Sequence, residues 1–201
     1  MARIFSKWYI YLLSIAISVI SFCLIVSFKT APKEHERLQI FLGAYEAKVM
    51  DLQDRLEEEK PDGVKSISLR FNYVSSSNFT YIFSTLRTEM DIIILPKSYV
   101  EENEGATLNY FANIDTEYLQ KEIGRELDYY VNNDNETKGF KIYDSSLEEG
   151  LFKDLITYSG DNNKSDYYLF FSYKSKNIGE LNKKSKTKHA LELIKNIYEN
   201  L

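Results

Sequence analysis

The side chains that most often do chemistry are few and scattered. The 201 residues hold two histidines, His35 and His189, and one cysteine, Cys23. Neither histidine has a Cys or carboxylate at metal-ligand spacing, so the sequence nominates no zinc site. One lies in a charged stretch and the other at a helix start, where an imidazole is ordinarily solvated. No Gly-rich phosphate loop precedes a helical pattern and no Gly-x-Ser-x-Gly elbow occurs. Asp161-Asn162-Asn163-Lys164-Ser165-Asp166 begins like a calcium loop, with oxygens at alternate positions. Asp166 stands where that loop needs Gly, and Ser172 where it needs a bidentate Glu, so a surface turn is the better reading. Asp and Glu together number 30, and spacing singles out no acid–base pair among them. Asn78-Phe79-Thr80, Asn135-Glu136-Thr137 and Asn163-Lys164-Ser165 match the glycosylation sequon, which arises readily in an Asn-rich chain. The expectation is no metal and no cofactor.

Charge narrows the partners. Of the net −5, residues 1–33 contribute +4, from Arg3, Lys7, Lys29 and Lys33, so residues 34–201 carry −9. An acidic domain argues against nucleic acid, whose phosphates need clustered Lys and Arg, and against lying on an anionic membrane surface. The one basic cluster, Lys183, Lys184, Lys186 and Lys188, reads as a solvated loop before a helix. With its lone cysteine outside residues 34–201, that part has no disulfide and no thiolate site.

Trp8–Phe28 (WYIYLLSIAISVISFCLIVSF) has no charge, Pro or Gly. As a helix it reaches roughly 30 Å, the thickness of a bilayer core. It is longer than a signal-peptide core, and Phe28-Lys29-Thr30-Ala31-Pro32 is a poor cleavage site. A lipoprotein signal needs a small residue before its Cys, and Phe22 precedes Cys23. The expected layout is therefore a short cytoplasmic tail (1–7), an uncleaved signal-anchor helix (8–28) flanked by interfacial Trp8, Tyr9 and Tyr11, a juxtamembrane linker (29–37) and a folded domain (38–201). Flanking positive charges are nearly balanced and do not orient the helix.

The domain opens with a strand at Leu38–Tyr45. An amphipathic helix carrying Tyr45, Val49, Leu52 and Leu56 follows, and Pro61-Asp62-Gly63 stops it. Next come a strand over Val64–Val74, a helix with Phe79, Ile82, Phe83 and Leu86, and the apolar strand Asp91–Leu95 closed by Pro96. This β-α-β-α-β order predicts an α/β fold, a single open and mostly parallel sheet with helices on both faces. Ligands of such sheets sit outside the carboxyl ends of the strands, here Tyr45-Glu46, Ser75–Asn78 and Lys97-Ser98. Further on, Asp115 or Thr116 caps a helix with Leu119, Ile123, Leu127 and Tyr130 inward, and Gly139–Tyr143 is a short strand. Ser146 and Glu149, at capping-box spacing, open a helix with Leu147, Leu151 and Leu155 on one face. Ser159–Asp166 is a loop, Tyr167–Tyr173 a strand, Lys174–Ser185 an exposed polar stretch, and Thr187 caps the last helix.

Several of these segments resemble one family: Asp91–Leu95 with Pro96-Lys97-Ser98-Tyr99, Lys138–Tyr143 (KGFKIY), Tyr168–Ile178 (YLFFSYKSKNI), the Lys-rich turn and the closing Ala/Leu/Ile helix. Together they are similar to the extracellular solute-binding proteins of bacterial ABC transporters. The resemblance implies one lobe of a fold that normally has two lobes around a cleft, since only about twenty residues (144–165) stand where the second lobe is inserted. Phe140 and Lys141 replace smaller, more apolar residues of the crossover motif. Carried over by position, the resemblance implies ligand contacts from Ser75, Ser76, Ser77, Lys97 and Ser98. The same residues serve equally as loop and helix-capping groups. It further implies a domain outside the cell membrane that partners an ABC-type transporter or another membrane protein. The expected function is an anchored binding or accessory module, not an enzyme. The alternatives are an anchored hydrolase using Asp or Glu residues that converge only in three dimensions, and a structural surface protein.

Overall fold

The computed structural model describes residues 8–157, 159–160 and 163–201, except for the side chains of residues 28–30, 157, 159, 160, 163 and 164. The N-terminal tail with Arg3 and Lys7, and Asp161 and Asn162 of the calcium-like stretch, lie outside the described residues. The chain forms two units, one ending at Lys33 and the other spanning Glu34–Leu201. The first contains helix α1 (Trp8–Thr30). Its Trp8–Ser27 portion is long and apolar enough to cross a membrane. The Ser18 hydroxyl is satisfied within the helix by the Ser14 carbonyl, 2.9 Å away.

In the second unit, strand β1 (Arg37–Ala44) runs beside β3 (Ser66–Tyr73) and β4 (Ile92–Pro96), both parallel to it. Helix α2 (Val49–Glu58) links β1 to β3, and α3 (Phe79–Leu86) links β3 to β4. The expected β-α-β-α-β start is present, its strands within two residues, but the first helix begins only at Val49, so Tyr45 lies ahead of it. The remainder departs from a mostly parallel sheet. Strand β11 (Tyr167–Phe171) enters antiparallel between β4 and β6 (Thr137–Asp144), and β5 (Tyr129–Val131) pairs antiparallel with the far side of β6. The order β3-β1-β4-β11-β6-β5, with β7 (Glu149–Gly150) also on β6, makes an open mixed sheet. Antiparallel neighbours need no crossover helix between them, as parallel neighbours would.

Alternation along the strands sorts side chains to two faces. Leu38, Ile40, Leu42, Ile92, Ile94, Phe140, Ile142, Leu169 and Phe171 bury one face against α2, α6 (Thr116–Ile123) and α7 (His189–Glu199). Phe41, Ile93, Leu95, Tyr168 and Phe170 bury the other against Phe79 and Phe83 of α3 and against Tyr99 and Val100 of α4 (Lys97–Glu102). A Cβ at Gly43 would lie 2.6 Å from Phe79 Cζ, so glycine in β1 is what lets α3 approach this closely. The outer edge, β3, is partly closed by α2. Gln53 bonds the Leu69 N–H and the Ile67 carbonyl (3.0 and 2.9 Å), and Glu57 accepts from the Ile67 N–H at 3.0 Å. Side chains thus take the place of a further strand along that part of the edge.

Three segments differ from expectation. Helix α6 stops at Ile123 because Gly124 adopts a left-handed φ of 82°, so Leu127 and Tyr130 leave the helix and Tyr130 enters β5. No helix forms at Ser146. Asp144 instead accepts from the N–H groups of Ser146 and Leu147 (2.8 and 3.1 Å), Glu148 turns through a φ of 56°, and the chain continues as β7 and β8 (Ile156–Thr157). In place of the expected loop at Ser159–Asp166, β9 (Ser159–Gly160) and β10 (Asn163–Lys164) pair as a small antiparallel ribbon.

The Lys174–Ser185 stretch is not simply exposed, because Ser175, Asn177 and Ile178 are buried. Ile178 joins the apolar core, and the burial of Ser175 and Asn177 follows from Asp91, itself buried just ahead of β4. The Asp91 carboxylate accepts from the Gln39 N–H of β1 (2.9 Å), the Ser175 hydroxyl (2.5 Å) and the Asn177 amide (3.0 Å). Asn177 also donates to the Arg37 carbonyl (3.1 Å) and accepts from the Thr187 hydroxyl (2.7 Å). Thr187 is therefore spent on this network instead of capping α7. Truncation to Asp91→Ala orphans three buried donors and is expected to cost roughly 3 kcal/mol in chemical denaturation. Asp91→Asn, which keeps one acceptor oxygen, should cost less. A loss below about 0.5 kcal/mol for the alanine variant would contradict the assigned role.

Candidate functional site

Strand order reverses at the β1/β4 seam, and its two flanking crossovers pack on opposite faces, so the seam is the topological switch point of the sheet. Its carboxyl end is covered. Strand β2 (Glu46–Ala47) pairs with β8, the Lys48 N–H donates to the Leu155 carbonyl (2.9 Å), and the Lys97 N–H donates to the Asp166 carbonyl (2.8 Å). The segment expected to hold a helix thus folds back over the strand ends. What remains open lies one step along the sheet, over β4, β11 and β5.

There a recess of about 560 Å³ is lined by Lys97, Glu101, Glu104, Tyr129, Tyr130 and Tyr168, among others. Each is placed by a recognisable element. Lys97 and Glu101 lie one turn apart on α4, with Lys97 Nζ 3.6 Å from a Glu101 oxygen. Tyr130 on β5 and Tyr168 on β11 are only 7% and 6% exposed, with ring centroids 5.4 Å apart in an edge-on arrangement. Neither hydroxyl bonds to any described residue. Burial, reinforced by the nearby charges of Glu104 and Glu101, pushes the Tyr130 hydroxyl up to about 12. Burial likewise takes Tyr168 to about 12, where Lys141 opposes and Asp128, Asp166 and Asp144 add to the rise. Both hydroxyls are therefore neutral donors over the physiological range.

Beside Tyr168 sits an ion cluster. Lys141 Nζ lies 2.8 Å from Asp128, 3.1 Å from Asp144 and 3.3 Å from Asp166. A hydrogen bond from Lys141 to Asp128 raises the lysine pKa despite burial, and the bond to Asp144 adds to the rise. Bonds from the Ser146 hydroxyl and from Lys141 hold Asp144 far below the carboxylate range. Burial pulls Asp166 upward, but the Ser145 N–H and hydroxyl together with Lys141 keep it below its ordinary value. Lys141, Asp144 and Asp166 stay ionised near neutrality. The lysine is no nucleophile and these two carboxylates are no general acids in that range. Among the described residues no three His, Cys, Asp or Glu side chains form a metal-holding group, and the ammonium of Lys141 takes the place a cation would have among its three aspartates.

The five residues nominated from the sequence are divided between places. Lys97 lines the recess. Ser98 neighbours it, its N–H 3.4 Å from the Ser165 hydroxyl, which lies 3.4 Å from the Ser98 hydroxyl. Ser75, Ser76 and Ser77 follow β3, two strands from β4, or about 10 Å at sheet spacing. There Ser76 serves the turn into α3, its N–H donating to the Tyr73 carbonyl (3.0 Å) and its hydroxyl to Asn78. Tyr130, Tyr168 and Lys141 were missed as site residues. The available signals were Gly124, which ends the helix before Tyr130, and the lysine placed mid-strand in the KGFKIY segment. Searches of protein-family models, curated proteins and solved structures find no match to this chain.

A recess at the other end of β1 and β4, about 440 Å³, lies beside Asp91, where the carboxylate and Ser175 are already committed to each other.

The ion cluster predicts a pH profile. Asp144 and Asp166 have lowered pKa values, so their contribution is present above the unfolded carboxylate range, about 4, and is lost as pH falls through the folded values. Lys141, with its raised pKa, contributes fully below its unfolded value near 10 and loses that contribution only at higher pH. Wild-type stability from this cluster is therefore flat across neutrality and falls in acid. In Lys141→Met, stability at pH 7 should drop and the acid loss should become shallower. Asp91, raised by burial, titrates in the opposite sense but equally in both proteins, so the difference isolates the cluster. Parallel pH profiles of denaturation for the two proteins would contradict the assignment.

Proposed function

We propose that this chain is a single-pass, N-terminally anchored module whose Glu34–Leu201 domain works outside the cytoplasmic membrane and binds a ligand rather than turning one over. The observation that carries the reading is the recess over β4, β5 and β11, where two tyrosines more than nine-tenths buried present hydroxyls that the protein leaves unbonded. Neither hydroxyl is sealed from solvent, so both are open to bond a group that enters the recess. The adjoining ion cluster supports binding over catalysis, since Lys141, Asp144 and Asp166 are held ionised near neutrality.

The placement outside the membrane is part of the same proposal. It rests on the apolar helix and on the resemblance of the strand segments to solute-binding lobes, with the returning segment at residues 144–165 in the position of a second lobe. A module of this kind partners a transporter or another membrane protein. A reporter enzyme active only outside the cytoplasm, fused after Leu201, is expected to be active. Activity from a cytoplasm-dependent reporter instead would overturn the location and the transporter reading with it. Solubilised in mild detergent, the protein is expected to co-purify with one membrane partner in constant ratio, and recovery of the chain alone would remove the accessory role.

A further inference from the structure

We infer that the tyrosine recess takes a small organic cation, with an ammonium group held by ring faces and carboxylates; this rests on reading the recess as a ligand site. Two features point the same way. The first is charge. Glu101 and Glu104 line the recess against Lys97, and beside Tyr168 stand Asp128, Asp144 and Asp166 against Lys141, together a formal excess of three negative charges. Both lysines are already engaged, Lys97 with Glu101 and Lys141 with its three aspartates, which leaves little positive charge for an anion to meet.

The second feature is the wall. Tyr129, Tyr130 and Tyr168 surround one space, and aromatic faces attract ammonium groups through their quadrupoles, most strongly where water is excluded. The two unbonded hydroxyls complete the lining, since a phenolic oxygen accepts a hydrogen bond from an ammonium N–H while remaining neutral. The same carboxylates act on the hydroxyls themselves, Glu104 and Glu101 on Tyr130, and Asp128, Asp166 and Asp144 on Tyr168 against Lys141. Glu104 is held in place for this task by the Asn133 N–H at 3.4 Å and by the Asn133 side-chain amide.

The test uses the full chain in detergent, titrated calorimetrically with methylammonium chloride and, at matched ionic strength, with sodium glutarate. Methylammonium is expected to bind saturably and glutarate not at all. Glu104→Gln should weaken the cation by roughly fivefold and Lys97→Met should strengthen it by roughly threefold, as removal of one charge from a partly solvated site would do. The gain at Lys97→Met is the decisive readout, because a structural role for Lys97 offers no route to tighter binding. Matching circular dichroism spectra for the variants confirm that they fold. Glutarate binding in place of the cation would overturn the ligand class and leave the binding module standing. Binding of neither probe would overturn the cation inference. Cation binding indifferent to both substitutions would place it elsewhere and overturn this inference alone.

Discussion

One buried carboxylate holds the domain together. Asp91 sits where β1, β4 and the chain leaving β11 come closest, and its two oxygens receive a backbone N–H, a hydroxyl and an amide. Through Asn177 the same contact reaches Arg37 at the start of β1 and Thr187 just ahead of α7. The central strands are thereby fixed at their amino ends, and the closing helix is delivered to the face it must cover. Without this junction the lysine-rich stretch from Lys174 would have no reason to enter the interior.

With the amino ends fixed, the carboxyl ends carry the variation. The segment between β6 and β11 covers the switch point, pinned by Asp144 to its own turn and by Asp166 to Ser145 and Lys141. Covering that seam moves the open surface sideways, onto the tyrosine face between β4 and β5. The aromatic layer beneath is tightly built. Tyr130 stands edge-on to both Tyr168 and Phe170, and Phe170 stacks on Phe111 at 4.4 Å. The rings at the recess are thus rigid, which lowers the entropy lost when a ligand meets them.

The sequence was informative where one local pattern decided the outcome. The run of Ile and Leu before Pro96, the stripe Leu52–Leu56, the stripe Phe79–Phe83 and the cap at Asp115 all appear in place. It misled where side chains contact residues far along the chain. Ser146 and Glu149 have capping-box spacing, but Asp144 takes the N–H groups a helix would have used. Asn177 and Ser175 look solvated until Asp91, more than eighty residues away, claims them. The candidate site was half legible for the same reason. Lys97 follows from its place after β4, whereas Tyr130 and Tyr168 become a pair only through β6, which separates their strands and sets their register.

The account stands on the idea that the recess is kept open for an outside molecule and is not a packing feature. The stability of the double variant Tyr130→Phe, Tyr168→Phe measures this directly, because it removes the two hydroxyls and leaves the rings. If the hydroxyls serve a ligand, chemical denaturation of the ligand-free protein will show stability equal to or above that of the parent. A loss of about 1 kcal/mol or more per hydroxyl would mean that they make hydrogen bonds on which the fold itself depends, and would contradict the account.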